Sequence, residues 1–560
     1  MRNTNNKETS NDEVGLRAAT ALESGEDPGE LNLRTAFRSF SRYLQPARVL
    51  KATAELGVEG AKILAGTSDV EVHPKDWRFK DPAWQENPIY KRLGQGYIAW
   101  CRSVESLVSD HGDWRNHERA KFAVDVLTSS LSPTNTLIGN PAALKHAVET
   151  RGRSLVSGAR NLAHDIVYNG GMPTQVDTSN FTLGKNLATT PGAVVFRNEV
   201  LELIQYQPST ANVHSRPTLI IPPQINKFYF LDMSPGRSFV EFATGRGVPI
   251  FMVSWRNPTA AQADWNLDTY LSALLEAVDA VREITHSDTL NMFGFCAGGI
   301  TMSALLGYFA AQGNSPVHSV GYAVTLLDWN VPAMIGMLQS DSVVNLAKAN
   351  SKRKGVITGK ELGRLFSWFR PNDLVWNYWV NNYLMGKPPP SFDILAWNDD
   401  STNLPGGLHG EFLDIFARNS FTKPGLVKAL GHPVDLGQIK CDAFVTGAVN
   451  DHLTPWRGCY RTTQLLGGKS TFVLSNAGHI ASLVNPPGNP KASYFTGPQP
   501  GPDWDEWRNA ASKQQGSWWE AWAGWIGERS GDKRSAPSQL GSAHNPATDN
   551  APGTYVMSKS

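Results

Sequence analysis

Cysteine is scarce in this sequence: 560 residues hold four, Cys101, Cys296, Cys441 and Cys459. That number cannot build a disulfide framework, and their spacings are too wide for a compact metal site. Net charge is nearly absent as well. The 52 basic and 51 acidic residues leave +1, so no global field draws the chain to nucleic acid, although a local anion site stays open. No uninterrupted apolar run reaches the ~20 residues that a bilayer demands. The opening MRNTNNKETSNDE lacks the apolar core of a secretory signal. These absences point to a reduced, cytosolic enzyme.

Aromatic residues, by contrast, are plentiful, with clusters near both ends of the 329–435 stretch and near the C-terminus. Packing explains most such residues; a greasy channel or an adhesive surface is the alternative. The pattern along the chain marks six stretches. Residues 1–30 read as a flexible polar tail. Residues 31–190 are mainly helical, with apolar repeats at 44–66 and 118–128, and Asp81–Tyr90 with its two prolines reads as an ordered loop. From 191 to 328, apolar or β-branched segments at 194–203, 217–221, 249–254, 290–295 and 320–327 alternate with helical patterns at 268–285 and 299–311. The alternation resumes over 436–529, with strands at 442–446 and 470–475. It predicts an α/β fold with a mostly parallel central sheet and helices on both faces. Residues 329–435 break it, carrying Phe366, Trp368, Phe369, Trp376, Tyr378, Trp379, Tyr383 and a PPP run at 388–390. They read as a cap insertion over the C-terminal edge of the sheet, with an independent subdomain as the alternative. Residues 530–560 read as a flexible tail.

The stretch Gly294-Phe295-Cys296-Ala297-Gly298 follows the apolar LNMF and precedes the helix-compatible ITMSALLGYFAA. G-x-C-x-G between strand and helix is a nucleophile elbow with cysteine as the nucleophile, which specifies the α/β-hydrolase fold. Strand and helix cross closely at such a turn, so a side chain at Gly294 or Gly298 would obstruct it, and Gly299 adds room. The start of the helix offers unpaired amides and a partly positive end to a thiolate and to the oxyanion of a tetrahedral intermediate. The backbone N–H of Ala297 is one expected oxyanion donor. The second belongs to a loop after an earlier strand, Pro222-Pro223-Gln224-Ile225, and Ile225 is favoured because proline cannot donate. Cys296 as a merely buried small hydrophobe is the plainer alternative. The other three cysteines have no such setting and read as structural.

This fold orders its residues nucleophile, acid, histidine along the chain. Asp451 sits in a loop after the strand DAFVT, and His479 follows the last strand, STFVLS, within Asn476-Ala477-Gly478-His479. His452 is the rival base, but a residue adjacent to Asp451 is poorly placed to bridge to it; a supporting role in the loop suits it better. Asp328 and Asp442 are rival acids, and Asp442 begins its strand at the wrong edge. An ordinary thiol ionises near pH 8.5, so His479 needs less help to deprotonate cysteine than serine. The acid is then more useful in a second step, when an incoming hydroxyl must be activated.

The GFCAGG elbow, NDHLTPW, NAGHIASLVNPPGNPKASYF and SWWEAWAGWIGERSG resemble the polyhydroxyalkanoate synthases, specifically the class II enzymes of pseudomonads, over nearly the whole chain. The resemblance implies that (R)-3-hydroxyacyl-coenzyme A, of medium acyl length, loads Cys296, releases coenzyme A and elongates a polyester. It implies Cys296 as nucleophile, His479 as base, Asp451 as the aid to hydroxyl activation and His452 as a companion. No cofactor is implied beyond the coenzyme A that the substrate carries. Homodimers, cytoplasmic polymer granules and granule-associated partners are further implications, and the N-terminal region is linked to activity and attachment. The 329–435 insertion resembles a mobile cap that excludes water and joins dimer contacts, with a family motif at Trp397–Pro405. Thr325 and Ala481 are expected either to shape the acyl pocket or simply to pack. A thioesterase or depolymerase, or a non-catalytic granule coat, are the competing functions.

Overall fold

The computed structural model describes residues 28–108, 113–332 and 334–559. Of the tail expected at 1–30, residues 1–27 lie outside the described residues, and 28–30 open a helix. The described chain forms two units. One combines 28–179 with Gly363–Leu395; the other combines Asn180–Leu362 with Ala396–Ser560. Among the described residues no helix is long and apolar enough to cross a membrane.

The first unit is helical: α1 (Pro28–Ser41), α2 (Pro46–Ala65), α3 (Pro88–Leu107), α4 (Trp114–Ser130), α5 (Pro141–Glu149) and α6 (Arg153–Tyr168). Asp81–Tyr90 is not the loop its prolines suggested. Ala83–Glu86 forms a helical turn, and Pro88 opens α3 with Asn87 accepting the amides of Ile89 and Tyr90. Proline in a first turn removes an N–H that has no helical partner, so it starts a helix as readily as it breaks one.

The 329–435 insertion is divided between the two units. Its aromatic middle, 363–395, belongs to the helical unit, while its ends belong to the other. Trp379 donates its indole N–H to the Asn135 carbonyl (3.1 Å), Tyr383 donates its hydroxyl to buried Asp165 (2.7 Å), and Phe369 meets Phe122 edge-on. These rings have partners among the N-terminal helices. At Tyr383 the chain runs so near α6 that a Cβ at Gly158 would lie 1.8 Å from its carbonyl oxygen.

The second unit is built on a ten-stranded sheet. Its strands are β1 (Gly192–Arg197), β2 (Leu201–Tyr206), β3 (Thr218–Ile221), β4 (Ile250–Trp255), β5 (Leu290–Phe295), β6 (Val317–Ala323), β7 (Asp442–Ala448), β8 (Ser470–Ser475), β9 (Ser493–Thr496) and β10 (Ser512–Gln515), in the order β1-β2-β4-β3-β5-β6-β7-β8-β9-β10. The six strands from β4 to β8 in that order run parallel, and antiparallel pairs complete both sides. Strands β3, β4 and β5 are buried throughout, which is why TLII, IFMVSW and LNMF read as unbroken apolar runs. The single strand expected at 194–203 is a hairpin instead. Asn198 turns it by accepting the amides of Val200 and Leu201.

Helices α7 (Leu267–Thr285), α8 (Ala297–Gln312), α9 (Trp456–Leu465) and α10 (Trp518–Gly527) flank the sheet. The C-terminal tryptophans are core: Trp518, Trp519 and Trp522 are buried, and Trp522 packs on Phe239 and Phe293. The tail expected over 530–560 is packed rather than loose. Lys533–Ser535 pairs with Asn212–His214, and Thr548 to Ala551 exchange backbone hydrogen bonds with Gly192 and Val194 of β1. Its polar composition resembles a disordered tail because its bonding is to main chain and to polar side chains of the sheet unit, Glu202, Glu283, Gln205 and Arg197.

Candidate active site

The elbow lies at the C-terminal end of β5, near the centre of the sheet. Cys296 stands alone between Phe295 and Ala297, at φ +48° and ψ −122°. A non-glycine residue holds such a backbone only where its surroundings enforce it. Here its amide donates to the Ala323 carbonyl (2.9 Å), and its carbonyl accepts from the Gly299 amide (3.0 Å) and the Thr325 hydroxyl (3.1 Å). The crossing depends on glycine. A Cβ at Gly294 would lie 2.6 Å from Gly299 Cα, and one at Gly298 would lie 2.2 Å from the Ile221 carbonyl oxygen. The Cys296 side chain is half-buried, at the start of α8.

Asp451 and His479 occupy loops after β7 and β8, which pair in register from Ala443 to Ala448. The pairing continues past the strands: Val449 N–H donates to Ser475 and Asn450 N–H to Ala477. His479 begins a short helix, His479–Leu483, tied to the core where Trp518 donates to the Ser482 carbonyl (2.7 Å). His479 Nδ1 lies 2.6 Å from Asp451 Oδ2. That leaves Nε2 for the Cys296 sulfur, which is within hydrogen-bonding reach of the ring.

The electrostatics follow from burial opposed by pairing. Burial disfavours charged His479, but the Asp451 carboxylate, its hydrogen bond and the Cys296 sulfur overcome this and raise its pKa to about 10. Burial would likewise raise Asp451; the His479 charge and the bonds from His479 and Thr454 instead hold it below the usual carboxylate range. Cys101 and Cys441 are pushed up by burial, to about 11 and about 12, and buried Cys459 well above the usual thiol range. Those three stay neutral thiols.

The rivals are otherwise engaged. Asp328 accepts from Asn419 Nδ2 (2.8 Å), the Asn330 amide (2.9 Å) and Arg461 Nε (3.2 Å). Asp442, first in β7 and so at the opposite edge, pairs with Arg529. His452 is half-buried in the Asp451 turn; the imidazole that Asp451 receives is that of His479.

Residues 75–243 match the family described as poly-beta-hydroxybutyrate polymerase (PhaC) N-terminus, and residues 217–486 match the alpha/beta hydrolase fold. The chain is 46% identical to poly(3-hydroxyalkanoate) polymerase 1 of Ectopseudomonas oleovorans over 544 residues, 97% of this chain and 95% of that one. The chain belongs to the poly(3-hydroxyalkanoate) polymerase family. It is also 44% identical to polymerase 2 of that organism, over 94% of each chain. With the poly(3-hydroxyalkanoate) polymerase subunit PhaC of Cupriavidus necator it shares 39% identity, over 86% of this chain and 83% of the relative. It is accordingly an enzyme, a polymerising acyltransferase.

The Trp397–Pro405 motif of this poly(3-hydroxyalkanoate) polymerase acquires a physical role in the structure: it secures the 222–227 loop. Thr402 donates its amide to the Ile225 carbonyl (3.2 Å) and its hydroxyl to the Gln224 carbonyl (2.8 Å). Trp397 donates to the Lys227 carbonyl (2.8 Å), and Asp400 receives buried Lys227 (2.6 Å) and the Tyr229 hydroxyl (3.0 Å). Gly298 packs against Ile221 and Pro222, which brings this loop beside the elbow. Of the two residues expected near the acyl group, Thr325 is buried and bonds the elbow carbonyl, while Ala481 is exposed.

Sequence reasoning passed over Thr454. Asp451 Oδ1 accepts the amides of Leu453 and Thr454 (2.9 and 2.8 Å), and Oδ2 accepts the Thr454 hydroxyl (2.7 Å). The signal was present: Asp-x-x-Thr is a pattern in which a carboxylate closes a turn on the amides that follow it.

Proposed function

We propose that this chain converts (R)-3-hydroxyacyl-coenzyme A of medium acyl length into a polyhydroxyalkanoate polyester through an acyl-thioester on Cys296. One arrangement carries the reading: a half-buried elbow thiol beside an imidazole whose other nitrogen is held by a buried carboxylate. The Cys296 sulfur attacks the thioester carbonyl of the substrate while His479 holds the thiol proton. The amides of Ala297 and Ile225 receive the oxyanion, and the carbon–sulfur bond to coenzyme A breaks as His479 returns the proton to the departing sulfur. A 3-hydroxyl group then attacks the acyl-cysteine; its proton passes to His479, the ester forms and the thiol is restored. Asp451 serves mainly this second step, because a hydroxyl is harder to deprotonate than a thiol. His452 supports the Asp451 turn. The chemistry calls for no resident cofactor, since coenzyme A arrives on the substrate.

Class II membership, a homodimer, a cytoplasmic location, attachment to polymer granules and contacts with granule-associated proteins form part of the proposal. Their support is the resemblance of the GFCAGG, NDHLTPW and NAGHIASLVNPPGNPKASYF segments. The test is purified protein with (R)-3-hydroxydecanoyl-coenzyme A, following coenzyme A release and polymer together. Release with polymer is expected, and Cys296→Ala lowers release by at least about a thousandfold. Free acid without polymer would replace the synthase reading by a thioesterase. Unchanged release in folded Cys296→Ala would remove the acyl-cysteine.

A further inference from the structure

We propose that Thr454 is a positioning residue of this site, whose hydroxyl shares the Nδ1–H of His479 with Asp451 and keeps the imidazole able to give up its proton. The inference rests on the acyl-cysteine reading above. Thr454 is buried, with Oγ1 2.7 Å from Asp451 Oδ2 and 3.1 Å from His479 Nδ1, while Nδ1 itself lies 2.6 Å from the same Oδ2. An ionised carboxylate only accepts, so the single hydroxyl proton goes to Asp451, and an oxygen lone pair is left toward Nδ1–H. Thr454 therefore supplies two donors to Asp451, one amide and one hydroxyl. Its carbonyl is held in turn by the Cys459 thiol (3.5 Å) from α9.

The two hydroxyl contacts act in opposite directions. Donation to Oδ2 disperses carboxylate charge and loosens its hold on the imidazolium; acceptance from Nδ1–H tightens it. The donated bond has the full length expected of O–H···O, whereas the 3.1 Å contact is long for N–H···O and its proton is already directed at Oδ2, so loosening prevails. Asp451 and Cys296 face His479, neutral Cys459 lies behind Asp451 and Thr454, and His452 adjoins Asp451 in the turn. Among these, the Thr454 hydroxyl counters the pull of Asp451. His479 has to surrender a proton once per bond formed, so an untempered pair would slow each cycle.

The experiment compares Thr454→Val and Thr454→Ser in the full chain, measuring coenzyme A release from (R)-3-hydroxydecanoyl-coenzyme A between pH 5.5 and 10. Thr454→Val is expected to lower kcat about tenfold with KM within about twofold, and to move the half-maximal pH upward by about one unit. Serine should restore kcat to within about twofold of threonine. Thr454→Ala gives the same readout if valine prevents folding. A wild-type kcat and pH profile in the variant lacking the hydroxyl would overturn the proposal. So would equal losses in the valine and serine variants at an unchanged pH profile, which would assign Thr454 to packing. Persistent release by Cys296→Ala would instead defeat the acyl-cysteine reading, whatever Thr454 does.

Discussion

Asp451 and Glu202 are buried carboxylates of the sheet unit with both oxygens engaged, in surroundings of different kinds. Asp451 follows β7 at the elbow end of the sheet; Glu202 lies in β2 beside the outer strand. Glu202 receives Arg197 (2.6 Å), the amides of Thr554 and Tyr555 (2.9 and 3.0 Å) and the Thr554 hydroxyl (2.6 Å). Those donors keep their protons at any ordinary pH, so the carboxylate fastens the C-terminal segment along β1 and covers an edge that would otherwise be open to pairing. Asp451 has comparable saturation, but its main charged partner is an imidazole that gains and loses a proton. The same side-chain chemistry makes a latch in one place and part of a reaction in the other.

Exchanging each carboxylate for its amide tests this contrast. For Asp451→Asn the largest loss is expected in elongation, about a hundredfold or more, with first-turnover coenzyme A release reduced about tenfold at most. Rapid-quench measurement of acylation beside polymer yield separates the two steps. Equal losses in both would contradict the division of labour. For Glu202→Gln the expected cost is about 2 kcal/mol of stability, with coenzyme A release within about twofold of wild type. Limited proteolysis should cut the 536–556 segment faster, and undiminished protection there would show that the latch lies elsewhere.

The contrast also marks what could be read along the chain. The elbow was legible because its requirement is local: glycine on both sides of one strained residue, between an apolar strand and a helix. Asp451 and His479 were legible because each follows a recognisable strand in a fixed chain order. The Glu202 latch was not, since its partners are 352 and 353 positions away and nothing in PGTY announces them. The same holds for Tyr383, whose partner Asp165 is 218 positions distant; composition reports the greasiness of its aromatic segment, not the surface that satisfies it. Proline at 82 and 88 was misread because its meaning changes with position in a helical turn.

The smallest expected effect separates the two carboxylates by pH. His479 is raised from its usual 6.5 to about 10, burial being outweighed by Asp451, its hydrogen bond and the Cys296 sulfur. A group raised on folding contributes fully below its unfolded value and loses that contribution as pH climbs through the folded one. Asp451 is lowered, so its contribution is present above about 3.9 and lost as pH falls through the folded value. The deficit of Asp451→Asn should therefore be greatest between about pH 4 and 6.5 and shrink toward pH 10. Glu202 faces Arg197, which stays charged throughout, so the Glu202→Gln deficit should stay level over pH 6.5–10. Urea midpoints of wild type and both variants at pH 6.5, 8 and 9.5, read by tryptophan fluorescence, supply the comparison. A deficit for Asp451→Asn as level as that for Glu202→Gln would mean that His479 keeps one protonation state over this range, and that the two carboxylates differ in place but not in kind.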